Sequence, residues 1–150
     1  MVAMLLAAVV AVAPQSAEAL FRASNERHLR ALEPRLASAA GSAPQDCGRF
    51  LITGFNTPPV PASTLREALV CLKTSAATGT AATILVQRQG DDSWLADGLI
   101  ATTLGAVLQF SYDSDPSGGS GATPRFIKGG CTDPGVDDRL ATWPTFICQP

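Results

Sequence analysis

The residues with the greatest chemical potential in this chain are Asp113-Ser114-Asp115-Pro116-Ser117-Gly118, a run of the kind that opens a calcium loop. A hard cation such as Ca²⁺ takes oxygen ligands from alternate positions of a turn, and a glycine lets the chain bend around it. Asp113, Asp115 and Ser117 are therefore the candidate metal ligands. The twelfth position, where an EF-hand carries a bidentate glutamate, is Pro124, so the ligand set stops short. The plainer reading, which is preferred, is a loop whose Asp and Ser side chains bond their own backbone while the glycines supply positive φ. No other cofactor is expected.

Other acid-base chemistry has little to work with. Asp91-Asp92 and the Asp113/Asp115 pair could supply the two carboxylates of a glycoside hydrolase, but they fall in turns at opposite ends of neighbouring strands. Solvated turn acids are the expectation. Asp97 lies mid-strand, on the side away from Trp94 and Ile100, and is expected to face solvent or a helix-free surface. There is one histidine, His28, in an N-terminal arm, where it is expected to be an exposed helix residue. Gly118-Gly119-Ser120-Gly121 falls short of a nucleophile elbow, because Ala122 stands where a glycine is needed. No P-loop, dinucleotide fingerprint or metal-spaced histidine pair is present. Catalytic residues are thus not expected, and the chain reads as a non-enzyme.

The cysteines belong with the start of the chain. Met1 to Ala13 is an uncharged apolar run, and Ala17-Glu18-Ala19 has the small residues that signal peptidase requires, so residues 1–19 are read as a signal peptide and Leu20 as the mature start. No Lys or Arg precedes the apolar core. The run is short against the roughly 20 residues that span a bilayer, so no membrane attachment is expected after cleavage. The destination is periplasmic or extracellular. All four cysteines lie beyond the signal, where an oxidising compartment favours bridges. Three pairings are open; Cys47–Cys71 with Cys131–Cys148 is favoured because each closes a short segment beside a regular element, and each bridge would contribute about 3 kcal/mol. Zinc or redox chemistry would need closer spacing, such as C-x-x-C.

These residues must be positioned by a single domain. Residues 20–45 read as a flexible or partly helical arm, with Leu29, Leu32 and Leu36 at helical spacing, Pro34 interrupting and small residues behind. The folded unit is expected from 46 to 150. Arg49 to Thr53 reads as a brief strand, and a helix begins near Ser63, with Thr64 and Glu67 as a capping box, Leu65, Ala68, Leu69, Leu72 and Ala76 on one face, and Gly79 as its stop. The period then changes to two. Strands are expected at 83–88, 94–103, 107–112 and 125–128, with 145–148 as a fifth and 132–144 irregular. The fold class is α+β: one main helix on a four- to five-stranded antiparallel meander. Of the large aromatics Trp94, Trp143, Tyr112, Phe50 and Phe55, most are expected in the core, and Trp94 and Trp143 are the two candidates for a surface contact.

That order of elements, over Ser63 to Lys128, resembles cystatin-like folds and the PepSY modules of exported bacterial proteins. At the place of the cystatin Q-x-V-x-G loop this chain has Val86-Gln87-Arg88-Gln89-Gly90, so the resemblance implies a fold and not protease inhibition. The spread of Gly90-Asp91-Asp92-Ser93 and Tyr112-Asp113-Ser114-Asp115-Pro116-Ser117-Gly118-Gly119 between cysteines also resembles small exported bacterial proteins, and this likeness carries no function.

A formal net charge of −2 without a basic run argues against nucleic acid as a partner. The functional expectation is an exported non-catalytic binding module with a protein partner, met on an exposed sheet face or on the long loops. The alternatives are a metal-assisted or acid-dependent secreted hydrolase and a structural envelope component.

Overall fold

Leu65, Ala68, Leu69, Leu72 and Ala76 line one face of a helix over Ala62–Ala77, and each is buried. The computed structural model describes residues 17–52, 60–89, 93–119, 123–137 and 145–149. The elements in chain order are α1 (Ala17–Ala40), β1 (Gln45–Ile52), α2 (Ala62–Ala77), β2 (Ala82–Gln89), β3 (Trp94–Ala101), β4 (Val107–Asp113), β5 (Arg125–Gly130), β6 (Asp133–Asp137) and β7 (Thr145–Gln149). Residues 1–16, most of the expected signal peptide at 1–19, lie outside the described residues, and Ala17 to Ala19 belong to α1.

α2 starts earlier than a capping box at Thr64 would place it. Pro61 stands before its first turn, and the Pro61 carbonyl accepts the N–H of Thr64 at 3.0 Å and that of Leu65 at 3.3 Å, with no side-chain cap. A proline suits this point because its fixed φ sets the direction of the chain and the first turn has no use for its N–H. At the other end Gly79 takes φ +66°, the Thr80 N–H bonds the Ser75 carbonyl at 2.8 Å and the Gly79 N–H bonds Ala76 at 3.2 Å. This Schellman arrangement satisfies carbonyls that the helix leaves open.

The main sheet has the order β1-β2-β3-β4-β5. β2 to β5 form the expected antiparallel run, but β1 pairs parallel to β2, so the sheet is mixed and not a pure meander. The reason is the crossover: α2, at 16 residues, rises about 24 Å and returns the chain to the end of the sheet from which β1 set out. A second correction concerns the C-terminus. Residues 133–137, expected to be irregular, form β6, and β7 pairs with β6 in a separate two-stranded sheet instead of extending the first. The Cys131–Cys148 bond ties this hairpin down, and Phe146 and Val136 pack into the cluster under α2.

The largest departure is the N-terminal arm. α1 runs through Pro34 to Ala40, and Leu32, Leu36 and Ala40 are buried against Leu85, Ala96, Ile100, Phe110 and Tyr112 on the sheet face opposite α2. Pro34 costs the helix about 3 kcal/mol. It lies on the exposed side of α1, and burying two leucines at about 1.5–3 kcal/mol each offsets that cost. The Ala40 carbonyl at the end of α1 accepts the Thr103 N–H at 2.9 Å, so the β3–β4 turn caps the helix. Layers therefore cover both faces of the central strands. Ile84 and Leu99 point to α2 while Leu85 and Ile100 point to α1, which gives β3 near-continuous burial in place of alternation. Among the described residues no helix is long and apolar enough to cross a membrane.

Candidate functional site

α1 brings His28 onto the sheet. Its imidazole stacks on the Trp94 indole with centroids 5.4 Å apart and planes 11° apart. Burial first, and then the Arg27 charge, hold the His28 pKa below its ordinary value. The Trp94 Nε1–H donates to Asn25 Oδ1 at 2.7 Å, the Trp94 backbone N–H donates to Ser114 Oγ at 2.7 Å, and the Tyr112 ring meets the indole edge-on at 5.7 Å. Trp94 is 4% exposed, so this candidate surface contact is instead a core residue, because α1 covers the face on which it stands. His28 is half-buried, and among the described residues no carboxylate or hydroxyl is hydrogen-bonded to it. The cluster joins α1 to the sheet through Trp94.

The acidic loop that closes β4 is built from its own bonds. Asp113 Oδ1 accepts the Asp115 N–H at 3.0 Å, and the Ser114 N–H donates to the Trp94 carbonyl at 3.0 Å. Asp115 Oδ1 is buried with no hydrogen-bond partner, while Ser117 is exposed. No group of three His, Cys, Asp or Glu side chains gathers here or elsewhere among the described residues. Asp97, expected to face solvent or a helix-free surface, stands on the face that carries α2 and pairs there with Arg88, which lies diagonally across the β2–β3 ladder from it, its direct partner being Val86. Asp91, Asp92, Trp143, Phe55 and the segment 120–122 lie outside the described residues.

Both disulfides stand in the fold. Cys47–Cys71 joins β1 to α2, and Cys131–Cys148 joins the end of β5 to β7. Beside the first, Gln45 Nε2 donates to Ser75 Oγ at 2.6 Å and Ser75 Oγ donates to the Cys71 carbonyl at 2.9 Å. All four sulfurs are committed to bonds, which leaves no free thiol for nucleophilic work.

What the residue patterns did not single out is β5. It is the last strand of the main sheet, and among the described residues its outer edge pairs with nothing. The Cys131 N–H points to the Val107 carbonyl of β4 at 2.9 Å, so by alternation Arg125, Ile127 and Gly129 direct their backbone groups to β4. Phe126, Lys128 and Gly130 direct theirs outward. The side chains of Phe126 and Lys128 point to the α1 face, where with Pro34, Arg35, Ser38 and Ala39 of α1 they line an open groove of about 320 Å³. The Arg35 guanidinium reaches over the Tyr112 ring, 5.9 Å from its centroid. Burial, the largest influence, raises the Tyr112 pKa; Arg35 opposes the rise and Asp113 adds to it. On the other face Ile127 is 53% exposed. A signal was present in the chain: between Asp115 and Asp133 the only charged residues are Arg125 and Lys128, and Gly129-Gly130 follows them.

Comparison with protein-family models, with curated proteins and with solved structures finds no match to this chain.

Proposed function

We propose that this chain is an exported, non-catalytic module that works by binding another protein, with the outer edge of β5 and the groove beside it as its contact surface. Export is supported by the apolar start with its Ala17-Glu18-Ala19 site, and two disulfides suit a periplasmic or extracellular destination. One observation carries the choice of surface. Proteins usually blunt a free strand edge with a bulge, a proline, a cover or charged side chains, lysine above all. The β1 edge is broken in shape by a register shift between Asp46 and Gly48, whereas β5 pairs in unbroken register from Arg125 to Gly130, exposes Ile127 and is guarded only by the charges of Arg125 and Lys128, which a partner of opposite charge would match.

The test is photocrosslinking in the native compartment. A benzophenone side chain at position 127 should yield a discrete protein adduct. The same group at Val70 or Leu104, exposed at 65% and 93% on other surfaces, should not. Adducts of equal yield at all three positions, or none at 127, would remove this surface from consideration.

A further inference from the structure

The binding reading above names a surface; the chemistry of that surface names the class of partner. We propose that β5 receives an extended acidic segment of another protein as a sixth strand, with a carboxylate side chain seated in the groove between Arg35 and Lys128. The inference rests on the binding-module reading.

The first observation is the pair of glycines. Gly129 and Gly130 lie in an extended strand without positive φ, and a Cβ added at either would meet nothing within 4 Å. Neither backbone conformation nor internal packing therefore calls for glycine there. By contrast, Gly79 takes a left-handed turn, and at Gly98 the Ile84 carbonyl and the Phe110 ring fill the space a Cβ would need. A glycine in a strand weakens it and often marks a bulge, a tight bend or a place where another backbone approaches closely; β5 pairs without a bulge through Gly129 and Gly130, and the approach of another backbone fits them.

The second observation is charge. Among the described residues Arg35 and Lys128 form no ion pair, yet both line the same groove, and Arg125 adds a third cation on β5. A strand laid along the outward groups of Phe126, Lys128 and Gly130 would alternate its own side chains between the two faces. Those turned to α1 would meet Arg35 and Lys128, and those turned the other way would meet Ile127 and, at the start of β5, Arg125. The matching sequence alternates Asp or Glu with a β-branched apolar residue. A second copy of β5 is a poor occupant, since it would bring its own Lys128 and Arg125 against the first. Edge addition of this kind draws affinity from main-chain bonds and specificity from alternate side chains.

The test uses the purified, oxidised full chain and three blocked octapeptides, alternating Glu-Val, Lys-Val and Glu-Pro, titrated at low salt and followed by anisotropy and amide hydrogen exchange. The Glu-Val peptide should bind about tenfold more tightly than the Lys-Val peptide, the size expected of two half-exposed charge pairs. It should slow exchange at the outward amides of Phe126, Lys128 and Gly130. The Glu-Pro peptide, which carries the same charge but cannot pair, should not bind. Arg35→Glu with Lys128→Glu should reverse the preference. Gly130→Pro removes an outward N–H without touching the β4 ladder and should abolish binding of both Val peptides; if that variant unfolds, the exchange pattern at the three amides decides the same point. Equal affinity for the Glu-Val and Lys-Val peptides overturns the acidic assignment. Tight binding of the Glu-Pro peptide, or protection elsewhere than on β5, overturns strand addition. If no peptide binds while photoadducts still form at position 127, this inference fails and the binding-module reading stands; if both fail, both fall.

Discussion

Leu32→Ala separates a docked α1 from a free arm, because the two arrangements give opposite signs. Leu32 is 0% exposed and packs into the cluster with Leu85, Trp94, Ala96 and Phe110. Truncation removes three carbons, about 2.4 kcal/mol at about 0.8 kcal/mol each, and the cavity left behind brings the expected loss to about 3 kcal/mol. In a domain of this size that lowers the unfolding midpoint by roughly 10 °C. In a free arm the same change would be neutral or slightly favourable, since alanine is the better helix former. The assay is urea unfolding followed by tryptophan emission in a Trp143→Phe background, which leaves Trp94 as the sole indole. Because Trp94 is covered by His28 and bonded to Asn25, loosening of α1 should also shift its emission to the red before global unfolding. Arg30→Ala, at a position where the side chain is 70% exposed and pairs only with Glu26 one turn away, is the control and should cost less than about 0.5 kcal/mol. A Leu32→Ala protein within about 0.5 kcal/mol of its parent, with unchanged emission, would refute the packing of α1 and with it the place of Arg35 in the β5 groove.

Two further outcomes follow from the same fold. Replacing Cys131 and Cys148 together by serine opens a loop of 17 residues and should cost about 3 kcal/mol, with exchange rising first in β6 and β7, which differential hydrogen exchange would read. His28 has a folded-state pKa below 6.5, so the unfolded chain takes up its proton first as pH falls. Stability is then full above pH 6.5, declines as pH drops from 6.5 toward the folded value, and levels off below it. The difference in urea midpoint between the wild type and His28→Gln, measured across this range, should show that slope; a difference that grows in favour of the wild type on acidification would contradict it.

The element list was legible in the sequence wherever a single period ruled. α2 announced its buried face through Leu65, Ala68, Leu69, Leu72 and Ala76, and β2 to β4 announced themselves by alternation and a Gly105 turn, because local burial on one side writes a pattern into neighbouring residues. α1 was harder to read. Its stripe is narrow, only Leu29, Leu32, Leu36 and a few alanines, and Pro34 and the small residues behind it read as a break; the docking that stabilises it comes from Phe110, Tyr112 and Trp94, far along the chain. Trp94 was legible as an aromatic after a polar turn, expected with most of the large aromatics in the core though named as a contact candidate; what the sequence did not show is that the distant α1 is the element that buries it. The parallel pairing of β1 with β2 was not legible in the sequence, whose expectation is an antiparallel meander throughout; it follows from the crossover that α2 makes between the two strands.

The sequence by itself thus determined the α2 helix and the antiparallel run β2–β5, since these depend on nearest neighbours, and it supplied the apolar start and the count of cysteines from which export is inferred. Tertiary structure alone decided that α1 closes the second face, that β7 leaves the main sheet to pair with β6, and that among the described residues β5 is the last strand of the sheet, beside Arg35. Those outcomes rest on contacts between segments far apart in the chain, whose energies no local period records.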